Sequence, residues 1–64
     1  MKMIKVSSSA ISAIGYDSST STMRIVFIES GPYDYHSVPE HIFTAFLQSN
    51  SKGAYYNDHI RDHY

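Results

Sequence analysis

The sequence predicts an α+β domain: three antiparallel strands in a meander, one amphipathic helix across a face, and a short C-terminal helix or turn. Three observations carry that prediction. Met23 to Ile28 (MRIVFI) is rich in β-branched and aromatic residues and alternates as a strand does. Ile42, Phe43, Phe46 and Leu47 recur at i, i+1, i+4 and i+5, an apolar stripe at helical period. Between them, Gly31 to Pro39 (GPYDYHSVP) changes period: Tyr33 and Tyr35 alternate like strand residues, and Val38-Pro39 then opens a helix.

In chain order, Met3 to Val6 is an apolar piece too brief to classify, and Ser7-Ser8-Ser9 reads as a turn or cap. Ala10 to Tyr16 is the first expected strand, with Ile14 and Tyr16 on one face and Ile11 able to join them only across a bulge. Gly15 suits such an irregularity or a close approach of another segment. Asp17 to Thr22 is uninterrupted small and polar residues, whose side chains compete for backbone hydrogen bonds, so it reads as a hairpin loop. Strand Met23 to Ile28 carries apolar residues on both faces, the mark of a central strand. Glu29 to Pro32 supplies a second turn, and Tyr33 to His36 the third strand.

Short connections make the three strands antiparallel and sequential. Pro39 fits the first turn of a helix, where its missing N–H would have no intrahelical partner, and Glu40 suits the positive end of the dipole. Ser49-Asn50-Ser51 ends that helix. Ser51 is a candidate N-cap for a short second helix from Lys52 to about Asn57, weakened by Gly53.

Composition bounds the rest. A domain of 64 residues buries only about 60% of the surface its unfolded chain exposes. It has no cysteine, hence no disulfide or thiolate site to staple it, so six tyrosines and three phenylalanines, or self-association, must supply the core. No apolar run is long enough for a signal-peptide core or a membrane span, which with the lack of cysteine points to a cytoplasmic protein. The formal charge is −1, so an anionic partner would be met by a local patch and not by the overall field.

Six ordered motifs give the chain a family likeness. They are Val6, Ser8 and Ser9; then Ile11, Ile14, Gly15, Tyr16 and Asp17; then Met23, Ile25 and Phe27. Gly31, Tyr33, Tyr35, Val38 and Pro39 follow, then Ser51, Lys52, Gly53 and Tyr55, and finally Asn57, Ile60 and Arg61, with a closing Tyr64. In this order and spacing they resemble the KTSC domain, which is found at the C-terminus of some lysyl-tRNA synthetases and as stand-alone bacterial and phage proteins. The resemblance spans Val6 to Tyr64. It implies RNA binding, by association with the synthetase, and no catalytic residues.

Each candidate site has two readings. Tyr33 and Tyr35 are either paired stacking platforms for unpaired bases or large side chains filling a small core. Ser51, Lys52 and Gly53 form either an anion-binding helix start or an ordinary cap beside a solvated lysine. Arg61 extends a basic patch with Lys52, and Arg24 joins it if it faces that side, while Asp58 and Asp62 offset the charge. His59, His63 and Asp62 would share a face if the end were helical, but a terminus this polar favours no metal site, and no cofactor is expected. No serine is placed beside a histidine and an acid, so no enzyme activity is expected.

Two functions follow as expectations: a non-catalytic RNA-binding module using Tyr33, Tyr35, Ser51, Lys52, Gly53 and Arg61, or a protein-interaction module. In the second, the spare face of Val26 and Ile28 meets a partner or a second copy in a homodimer. Neither involves a membrane or a small-molecule substrate.

Overall fold

All residues from 1 to 64 are described by a computed structural model. The chain runs β1 (Lys2–Lys5), β2 (Ile11–Asp17), β3 (Thr22–Phe27), β4 (Gly31–Tyr35), α1 (Glu40–Gln48) and α2 (Lys52–Tyr55), and closes with a π-helical turn over Tyr56–Ile60. All pairings are antiparallel and the strand order is β1-β2-β3-β4. The sheet therefore has four strands where three were expected. The addition is β1, a lysine-flanked strand of four residues whose sequence shows no period of its own and which takes its conformation from pairing with β2. Lys2 and Lys5 at its ends are the kind of charge that keeps an exposed sheet edge from pairing with other chains.

The central position of β3, between β2 and β4, is as its two-sided apolar pattern requires. The register of β2 shifts between Ile11 and Ala13, so the bulge lies at Ser12 and brings Ile11 onto the face of Ile14. Both isoleucines are fully buried. Gly15 stays in regular register, and its role is the other one open to it: a Cβ there would collide with the Met3 Sδ and lie 3.0 Å from the Lys2 carbonyl oxygen. Gly15 is what lets β1 lie close.

The turns follow their side chains. Ser8 Oγ accepts from the Ala10 and Ile11 amides, and Asp17 Oδ1 accepts from the Ser19 amide and hydroxyl. These hydrogen bonds also hold the Asp17 carboxyl below its usual pKa. Gly31 leaves the second hairpin at φ +86°, a conformation that costs a residue with a Cβ but not glycine.

One core results. Ile11, Ile14, Met23 and Ile25 of the sheet meet Val38, Phe46 and Ile60, all fully buried, with Ile42, Phe43, Leu47, Tyr55 and Tyr56 packed around them. The stripe of α1 is thus turned onto the sheet. Tyr16 stacks on Phe43 at 5.2 Å and donates its hydroxyl to the Val38 carbonyl, which ties β2 to the entry of α1. Pro39 is the N-cap of α1, one position earlier than the first turn. Ser51 caps α2 as expected, accepting from the Ala54 amide at 3.3 Å. The second helix is shorter than expected, because after Tyr55 the chain widens into the π-turn, closed by the Arg61 amide donating to the Tyr56 carbonyl at 2.9 Å.

Candidate functional site

The register decides where the two strand tyrosines go. Tyr33 pairs with Ile25 and Tyr35 with Met23, so both rings stand on the helix-covered face, at the outer strand of the sheet. There the cover runs out unevenly. Tyr35 packs against the core and its hydroxyl lies 2.7 Å from that of Tyr56, whereas Tyr33 is 51% exposed. The pair is split, one ring tied into the core and the other displayed.

Around them lies an open pocket of about 370 Å³ lined by Phe27, Ser30, Tyr33, Tyr35, Tyr56 and Arg61. Its rings meet edge to face: Phe27 with Tyr33 at 5.7 Å, Phe27 with Tyr56 at 5.1 Å, and Tyr35 with Tyr56 at 6.1 Å. Edge-to-face packing directs the positive edge of one ring at the negative face of the next, and of the four rings only that of Tyr33 is exposed. Burial, and then the hydrogen bond to Tyr56, push the Tyr35 phenol above its ordinary pKa, so it is a neutral hydrogen-bonding group at physiological pH. Because one hydroxyl of the pair donates to the other, one O–H remains to offer a ligand.

Arg61 is exposed at the rim and forms no ion pair, although Asp58 and Asp62 stand close in sequence. The other arginine is unavailable here. Arg24 pairs with Gly15 and Asp34 on the opposite face, and Asp34 holds it bidentately, Nε to Oδ1 at 2.7 Å and Nη2 to Oδ2 at 3.0 Å. That contact lowers the Asp34 pKa and raises that of Arg24.

Ser51, Lys52 and Gly53 line a different and wholly polar cavity of about 220 Å³, with Ser7, Ser8, Ser9 and Asn50. Lys52 Nζ donates to the Ser49 carbonyl at 2.6 Å, at the C-terminal end of α1, where a cation is favoured. Of the six residues expected from sequence to bind nucleic acid, Tyr33, Tyr35 and Arg61 come together, and Ser51, Lys52 and Gly53 line the other cavity, so Arg61 does not extend a patch with Lys52. His59 lies against the Tyr55 ring at 4.5 Å, and no three of the His, Asp and Glu side chains gather as metal ligands would.

Phe27, Ser30 and Tyr56 belong to the pocket and were not anticipated. Phe27 reads as core because it shares the strand face of Met23 and Ile25. Tyr56 had a usable signal, its spacing of four from Ile60 beside a second tyrosine.

A four-stranded antiparallel sheet, helical segments on one face and a ring-lined pocket at one end define a small α+β domain. The chain belongs to the KTSC domain family, whose model matches residues 7–64. The crystal structure of a KTSC domain protein from Yersinia pestis is similar at a TM-score of 0.95 and 37% identity, covering 97% of this chain and 87% of that one. A protein of Tsukamurella paurometabola is 34% identical over 59 residues, 92% of this chain and 88% of its own. An uncharacterised protein of Stutzerimonas stutzeri is 30% identical over 57 residues, 89% and 80% of the two chains. No helix is long and apolar enough to cross a membrane.

Proposed function

We propose that this protein is a small, non-catalytic, cytoplasmic module that binds single-stranded RNA, taking an unpaired base into the pocket of Phe27, Tyr33, Tyr35 and Tyr56. The observation that carries this reading is the displayed Tyr33 ring in a pocket whose only charged residue is the unpaired Arg61. A base stacked on an aromatic ring is worth about 1–3 kcal/mol, and an exposed charge contact adds less than about 1 kcal/mol. One such site therefore gives an affinity no tighter than about millimolar, where 1 mM corresponds to about 4 kcal/mol. The Tyr35–Tyr56 hydroxyl pair offers one free O–H and its oxygen lone pairs to a ribose hydroxyl.

The test is titration of the folded protein with a short single-stranded RNA and with the same sequence as duplex, at low salt. The single strand should quench tyrosine fluorescence at millimolar concentration and the duplex should not, because only unstacked bases reach a ring. Equal binding of both, or of neither, contradicts the reading.

A second reading, a protein-interaction module or homodimer, draws on the sheet face away from the helices. Met3, Ala13 and Val26 stand there around the Arg24–Asp34 pair, and Ile28 is 54% exposed at the end of β3. A dimeric mass by sedimentation at high micromolar concentration would favour it.

A further inference from the structure

Resting on that RNA reading, we propose that the pocket takes one nucleotide at a time, base against the rings and phosphate on Arg61, and that the π-turn is what sets Arg61 there. π-Helical residues are well under about 1% of protein structure and recur at functional sites. Here the turn has a definite geometric effect. In an α-helix, five residues overshoot a full turn by about 140°, so Tyr56 and Arg61 would point to different sides. The wider turn, closed by the bond from the Arg61 amide to the Tyr56 carbonyl, returns residue 61 over residue 56, and both line the pocket.

A census of cations limits the site to one phosphate. The chain has five Lys and Arg residues. Arg24 is held by Asp34 on the far face, and Lys52 donates to the Ser49 carbonyl beside another cavity. Lys2 and Lys5 lie on β1, across the sheet from β4. Arg61 alone borders the rings, and a planar guanidinium is well matched to phosphate oxygens. A volume of about 370 Å³ stands at the low end of small-ligand pockets, room for one nucleotide and not a stacked pair.

The experiment follows amide NMR signals of the intact protein on titration with adenosine, adenosine 5′-monophosphate, inorganic phosphate and a short single-stranded RNA. The monophosphate should bind roughly fivefold more tightly than adenosine at low salt, the size of effect an exposed charge pair gives. Both should move the signals of Phe27, Tyr33, Tyr35 and Tyr56, and phosphate alone should move them little. Arg61→Ala should equalise the two ligands without loss of adenosine binding. The exchange Arg61→Asp with Asp62→Arg keeps the net charge and both residues exposed, and should also abolish the preference. Equal binding of adenosine and its monophosphate by the unaltered protein, or a preference that survives the exchange, overturns the inference and leaves base stacking intact. Binding of the RNA without binding of either small ligand overturns the single-nucleotide site. If the RNA also fails to bind, the RNA reading itself falls.

Discussion

At the scale of residues, the two tyrosines of the Y-x-Y motif have different physical roles despite sharing a face. Tyr35 is packed against the core and bonded to Tyr56, so Tyr35→Ala should destabilise the domain by about 3 kcal/mol, while Tyr33→Ala should cost under about 1 kcal/mol. Chemical denaturation of the two variants checks this, and equal shifts of midpoint would contradict it. Stability should also fall at high pH. Burial, then the bond to Tyr56, raise the Tyr35 pKa in the folded chain above the unfolded value of about 10. The folded state thus holds a proton that the unfolded state releases, so this stabilisation is complete below about pH 10 and is lost progressively above it. Tyr55, raised by burial and by Tyr64, acts in the same direction. Tyr35→Phe should flatten the decline in melting temperature above about pH 10. The alternation of Tyr33 and Tyr35 was legible in the sequence. Their division into core and display was not, because it depends on where the helical cover ends.

At the scale of elements, sequence patterns were readable where an element carries its own period or cap. The stripe of α1, the Ser51 cap and the central strand β3 are of this kind. β1 and the π-turn are not. β1 owes its conformation to β2, and the hint of it was Gly15, whose missing side chain makes room for Met3. Gly15→Ala should therefore destabilise the fold by about 1–2 kcal/mol by overpacking, since the Lys2 carbonyl is backbone and yields less readily than the Met3 side chain. Thermal melting tests it, with loss of exchange protection confined first to β1 amides. Unchanged stability would mean that Met3 simply swings aside. The π-turn has no such hint. No residue type in Tyr56–Ile60 demands it, and what fixes it is the need to bury Ile60 while Tyr56 meets Phe27 and Tyr35.

At the scale of the whole molecule, a small sheet with helices on one face has little surface to spare, and the pocket arises where that cover stops short of β4. The proximity of Lys52 and Arg61 in sequence suggests one basic patch, yet the fold gives Lys52 to the end of α1 and leaves Arg61 to the rings. A single phosphate contact on a chain of charge −1 makes any RNA affinity weak, with a log–log salt slope of about −0.7. The central claim, that the displayed ring is a stacking platform, is tested most directly by the affinity of Tyr33→Ala for single-stranded RNA. With Tyr33 half exposed, that variant should retain the fold, and its denaturation midpoint, measured alongside, separates lost binding from unfolding. The account predicts a loss of about 1–3 kcal/mol, the value of one stacked base, with the denaturation midpoint little changed. Affinity equal to that of the unaltered protein would contradict it.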